Sequence, residues 1–176
     1  MKSSNAKVRL EIMKAALQKY NSYGEEWEKA YFDKDSGGYN VYHNEHKFSK
    51  KGGGGNAEKT VGLMLAKYNG KQVEFLPERE KAAPDIKFDE QTWDIKYIDK
   101  ANEETIRSSI KDARKAENAI FYWDTKNKLD ELKNSVIRSI GYFKSQNALK
   151  TMPNIYYMEN KSGLLKLLWE KTKRAK

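Results

Sequence analysis

The chain has 176 residues, with 34 Lys or Arg against 25 Asp or Glu, giving a formal charge of +9. That length suits one domain with a real core, and a hydrophobic content of 38% is too high for a disordered chain. The lack of cysteine excludes disulfides, thiolate zinc sites and a cysteine nucleophile. No run approaches the roughly 20 apolar residues that span a bilayer, and MKSSNAKVRLEIMKAALQKY has no apolar core of a secretory leader. The basic balance favours a polyanionic partner, nucleic acid ahead of an anionic membrane.

Residues 5–32 read as helix: Val8, Ile12, Ala15, Ala16 and Lys19 keep helical spacing, and Trp27 and Tyr31 continue it past a break at Ser22–Gly24. DKDSGG (33–38) is a loop, and YNVYH (39–43) alternates like a short strand. The polar stretch 44–55 ends in KKGGGG, the best candidate for a hinge or boundary. Asn56 is positioned to cap a helix whose Ala57, Val61, Met64, Leu65 and Tyr68 form one apolar stripe, ended by Asn69–Gly70. QVEFL (72–76) is a strand candidate. PDIKF (84–88), a turn and TWDIKYI (92–98) form a hairpin. A helix follows over 103–117 with Ile106, Ile110 and Ala113 inward, then an apolar strand AIFYW (119–123). A helix over 128–146, a strand NIYYM (154–158) and a basic amphipathic helix over 162–174 complete the chain. Packing on the core is expected for the last element, with a membrane-surface helix as the alternative. The predicted fold is α/β, a mixed sheet flanked by helices. It divides into an N-terminal helical region (1–36), a main domain (37–160) and a C-terminal helix (161–176).

The hairpin carries unusual cargo. Side chains alternate along a strand, so Asp94 and Lys96 share one face while Trp93, Ile95 and Tyr97 anchor the other. A two-residue turn at Asp89–Glu90 sets Asp85 across from Asp94; a four-residue loop sets it across from Lys96; a three-residue loop separates the groups. Two facing carboxylates are unfavourable without a positive charge between them. A divalent cation is a natural solution, since Mg²⁺ takes one or two carboxylates and leaves room for water and phosphate oxygens. Lys96 would orient a water nucleophile or neutralise charge on a phosphorane. Glu58 borders the buried face of its helix, in what reads as the first turn, and could aim at the sheet.

Pro84-Asp85, eight residues, then Asp94-Ile95-Lys96 resembles the signature of the PD-(D/E)XK nuclease superfamily. The surrounding order of elements is similar to that superfamily's α-β-β-β-α-β, restriction-endonuclease-like core. More narrowly, GGYNVYHNEH (37–46), EKTVGLMLAKYNGKQVEFLPE (58–78), PDIKF, TWDIKY and NEETIRSSIKDARKAENAIF (102–121) resemble the CdiA C-terminal tRNA nuclease group, found as toxin tips and in phage and mobile-element proteins. The resemblance covers about residues 37–124, roughly half of the chain. It implies a metal site of Glu58, Asp85 and Asp94, with Lys96 catalytic, Mg²⁺ or Mn²⁺ as cofactor, and RNA, tRNA in particular, as substrate. Asp94 stands where the family often has Glu. The resemblance further implies action in a bacterial cytoplasm and, for a toxin tip, an immunity protein as partner.

Other motifs are weaker. KKGGGGNAEKT is not a Walker loop, because Glu58 rather than Gly precedes Lys59-Thr60. His43 and His46 do not by themselves form a zinc site; His43 reads as a surface residue, and His46 matches a family position near the active site. Arg107, Lys111, Arg114 and Lys115 make a basic stripe, with Lys100 just before it, suited to gripping a phosphate backbone beside the metal site. Thr105 matches a family position and would bond substrate, or cap its helix. A non-catalytic nucleic-acid- or partner-binding module and an accessory protein of a mobile element are the competing classes.

Overall fold

The computed structural model describes residues 2–50, 53–78, 83–123, 128–160 and 162–171. These form, in chain order, α1 (Lys2–Ser22), β1 (Trp27–Phe32), β2 (Tyr39–His43), α2 (Gly54–Asn69), β3 (Gln72–Phe75), β4 (Ile86–Phe88), β5 (Gln91–Ile98), α3 (Glu103–Asp112), β6 (Asn118–Trp123), α4 (Leu129–Ser145), β7 (Asn154–Glu159) and β8 (Leu165–Trp169). All eight strands join one mixed sheet in which spatial order follows chain order. β2–β3, β5–β6 and β6–β7 are parallel; the other neighbours are antiparallel. Each parallel pair is bridged by a helix, as parallel strands require: α2, α3 and α4 respectively.

The helices divide between the two faces of the sheet. The α2 stripe of Ala57, Val61 and Leu65 packs on Val73, Phe75, Ile86, Trp93, Ile95 and Ile120. On the opposite face Ile106 and Ile110 of α3 and Leu132, Val136 and Phe143 of α4 cover Ile98, Ala119, Phe121 and Ile155. Val61, Leu65, Ile106, Ile110 and Leu132 are fully buried, and each contributes about 1.5–3 kcal/mol by leaving water. β6 is buried along its whole length, which explains its continuous apolar run: both of its faces meet helices. Gly38 lets β2 begin against the end of α2, where a Cβ would lie 2.1 Å from the Ala66 carbonyl oxygen.

Three elements differ from the sequence expectation. The first helix stops at Ser22, and Trp27–Phe32 is an edge strand antiparallel to β2. The turn closed by Trp27 N–H on Gly24 O breaks the helix, and pairing with β2 outweighs the i, i+4 spacing of Trp27 and Tyr31. At the other end Leu165–Trp169 is a strand paired with β7, not part of a helix over 162–174. Its backbone pairs with β7's otherwise open edge, and Leu168 and Trp169 pack against the core, while residues 161 and 172–176 lie outside the described residues. The N-terminal segment thus keeps a helix, α1, and adds an edge strand to the sheet, while the C-terminal segment extends the sheet in place of the expected helix. Finally, α2 starts at Gly54 behind a left-handed Gly53, so Asn56 lies inside the helix instead of capping it. Its end at Gly70, left-handed with φ 62°, is where the sequence places it.

Candidate active site

The β4–β5 turn is the two-residue kind. Asp89 and Glu90 both have positive φ, 50° and 59°, and Phe88 pairs with Gln91, Lys87 with Thr92 and Ile86 with Trp93. Trp93 and Ile95 therefore enter the core under α2, and Asp94 and Lys96 take the α3 side. The ladder ends at Asp85. Its N–H donates to Trp93 O at 3.1 Å, and its carboxylate Oδ2 accepts from Ile95 N–H at 2.7 Å in place of a backbone carbonyl. The side chain thereby caps the strand pair and opens a cleft where β4 would have continued.

Asp94 is fully buried, with 0% exposure. Burial, and next the neighbouring Asp85, push its carboxyl up to about 6 despite the opposing pull of Lys96 and Lys115. Lys96 Nζ lies 2.5 Å from Asp94 Oδ2. Lys115 Nζ lies 2.8 Å from Asp94 Oδ1 and 3.1 Å from Asp85 Oδ1, bridging the two acids. Burial alone would lower the Lys115 pKa, but the two carboxylates outweigh it and raise the pKa. Among the described residues neither Asp94 oxygen meets a hydrogen bond of good angle, and the two ammonium groups in contact balance its charge. Lys115 reaches this position because a 3₁₀ turn, Ala113–Lys115, ends α3. Three residues later the chain enters β6, whose Ala119 is level with Asp94.

His46 and Glu58 form a second buried pair. The ring Nδ1 of His46 lies 2.8 Å from the Leu76 carbonyl, which can only accept, so Nδ1 carries the proton. Nε2 then faces Glu58 Oε2 at 3.6 Å. Burial would lower the His46 pKa, but the Glu58 carboxylate and the Leu76 carbonyl raise it overall. Glu58 is the fifth residue of α2, beyond the first turn, because the helix starts earlier than expected. His43 is buried, not on the surface: its ring stands edge-on to Trp27 at 4.9 Å, and its Nδ1 accepts from Glu45 N–H.

A cleft of about 570 Å³ gathers Glu58, Asp85, Lys96 and Lys115 in its wall, with Lys47, Glu78 and Asp99 around them. Asp94 lies beneath, out of solvent. The cleft wraps the end of β4, which is why α2-side Glu58 and α3-side Lys115 can share it. Among the described residues no group of three or more His, Asp or Glu side chains is arranged to hold a metal ion. Glu58 is turned to His46, and so does not complete a ready three-carboxylate centre with Asp85 and Asp94. Those two offer hard oxygen donors that already share one cationic atom, Lys115 Nζ, and this donor set fits Mg²⁺ or Mn²⁺.

The remaining predicted contacts lie elsewhere. Lys100 borders a separate cavity beside Glu131 and Arg138. Thr105 gives its N–H to the Asn102 side chain, which caps α3. Arg107, Lys111 and Arg114 line a groove against α4, so the basic stripe divides at the 3₁₀ turn and Lys115 alone of it reaches the acids. Lys115 is the residue that sequence reasoning placed only in the stripe. The available signal was its position three residues before a strand parallel to the one carrying Asp94. No protein-family model, curated protein or solved structure matches this chain.

Proposed function

We propose that the protein is a metal-dependent nuclease that hydrolyses phosphodiester bonds, with RNA, and tRNA in particular, favoured over DNA by the family resemblance alone. The observation that carries the reading is the meeting of Asp85, Asp94, Lys96 and Lys115 at one cleft of a strongly basic chain. Asp94 is fully buried with its carboxyl pushed up to about 6, and perturbed groups of this kind gather at reactive sites. Asp85 and Asp94 would hold Mg²⁺ or Mn²⁺, with Glu58 in the same wall to assist through water. The ion supplies a polarised phosphate and an acidified water. Lys96 lines the cleft while tethered to Asp94, and so is held to orient the attacking hydroxide or to offset charge growing on the phosphorane. Lys115 keeps the carboxylate pair from repelling in the metal-free protein and adds a second ammonium toward the substrate's charge. His46 fixes the Glu58 carboxylate from behind.

The test is cleavage of tRNA, single-stranded RNA and duplex DNA by the purified chain with Mg²⁺ or EDTA. RNA cleavage that EDTA, Asp94→Ala and Lys96→Ala each abolish is the expected result. Cleavage indifferent to all three removes the mechanism. A second reading, a binding module on the same scaffold, draws on Lys115 bridging the two acids, since an ammonium there serves a non-catalytic site equally well. It calls for salt-sensitive RNA binding without turnover.

A further inference from the structure

We propose that the groove between α3 and α4 is a second nucleic-acid site, gripping the phosphodiester backbone away from the cleft. The identity of the ligand rests on the nucleic-acid reading above; hydrolysis is not needed for it. The groove encloses about 460 Å³ and shares no residue with the cleft at Asp85. Its walls carry Arg107 and Lys111 of α3 and Arg114 of the 3₁₀ turn that follows, against Tyr142 and Phe143 of α4. The Arg107 guanidinium lies 4.1 Å over the Tyr142 ring, and that of Arg114 lies 4.7 Å over Phe143. Consecutive α4 aromatics thus hold two arginines that stand two turns apart on the facing segment.

A guanidinium held over an aromatic ring is fixed in place and can still present N–H groups for forked bonding to phosphate. Arg107 shares its charge with Glu103, but Nε of both arginines is buried with no hydrogen-bond partner among the described residues. Both guanidiniums also line the groove, so their remaining N–H groups are the ones an anion there would meet. Lys111 sits between the arginines, one helical turn from each. It and Arg114 make no ion pair among the described residues. Glu104 supplies one opposing carboxylate, leaving three cations against one acid in the wall. Arg107 and Lys111 are offset by about 6 Å along the helix and Arg114 follows on the 3₁₀ turn, a spread of charge that suits a chain of repeated anions better than one isolated group.

The probe is a fluorescently labelled single-stranded RNA, followed by anisotropy in EDTA so that cleavage does not intervene. Arg114→Gln and Lys111→Gln are each expected to weaken binding about 5- to 20-fold, and each to reduce the slope of log affinity against log salt by about 0.7. Lys7→Gln, the same charge change on exposed α1, should move affinity less than twofold. Arg114→Lys keeps the charge but not the planar stack, and should recover only part of the loss. Groove variants that behave like Lys7→Gln overturn the proposal, as does polyglutamate competing as well as unlabelled RNA. Unfolding midpoints of all variants separate lost contact from lost fold. Absence of cleavage in Mg²⁺ would sink the nuclease reading and leave this binding result standing.

Discussion

Replacing Asp94 by Asn should stabilise the metal-free protein at neutral and alkaline pH. The folded-state carboxyl is raised from an ordinary 3.8 to about 6, so the native state holds its proton more tightly than the unfolded chain. Between those two values the unfolded chain has released the proton while the native state keeps it. Stability therefore falls as pH rises through that window and stays reduced above about pH 6. The gap corresponds to about 3 kcal/mol, at about 1.4 kcal/mol per pH unit. Asn matches the carboxylate in size and never ionises. It forfeits the contacts to Lys96 and Lys115, but those are already counted in a net upward shift. Urea unfolding in EDTA at pH 4, 6 and 8 measures the effect. The variant should match the wild type within about 1 kcal/mol at pH 4 and exceed it by about 2–3 kcal/mol at pH 8. A variant several kcal/mol less stable at pH 8 than the wild type would refute the reasoning, because lysine attraction would then outweigh burial.

Four further outcomes follow from the same geometry. Lys115→Met removes the ammonium seated between Asp85 and Asp94, and should tighten Mn²⁺ binding about tenfold by calorimetry, a change of about 1.4 kcal/mol; weaker binding would contradict the competition between ammonium and metal. The raised pKa of His46 makes its contribution fully present below the unfolded value of 6.5 and lost as pH climbs through the folded value, so His46→Gln should cost more stability at pH 5.5 than at pH 8.5, as read by denaturation in EDTA. Changing Asp89-Glu90 to Asn-Gly relieves two positive-φ residues, and should add about 1 kcal/mol to thermal stability without shifting the hairpin register. Gly38→Ala drives a Cβ into the Ala66 carbonyl, and should lower stability by about 3 kcal/mol or more.

Much of the middle of the chain was legible because local pattern and tertiary demand agree there. The α2 stripe and the buried run of β6 follow from periodicity, whereas the two-residue turn that sets Asp85 toward Asp94 is one of three registers the sequence leaves open, selected by the pairing of Ile86 with Trp93. The ends were not legible, for a common physical reason. WEKAYF and LKLLW are short edge strands with mixed exposure, whose state is set by an open neighbour edge that no local window reveals. In the site, Asp94 and Lys96 shared a face as alternation required, and the outcome at Lys115 depended on where α3 gives way to a 3₁₀ turn. That turn aims Arg114 at Phe143 and Lys115 at the acids, splitting a stripe that a straight helix would have kept whole. Glu58 was correctly near the core, but the partner that turns its carboxylate, His46, comes from a loop twelve residues earlier.

The most direct trial of the account is a crystal of the protein soaked in Mn²⁺ and measured for anomalous scattering. The account predicts one strong peak within bonding distance of both the Asp85 and Asp94 carboxylates, with the Lys115 ammonium withdrawn from between them. Saturating Mn²⁺ that leaves no peak there, and Lys115 still spanning the two acids, would contradict it.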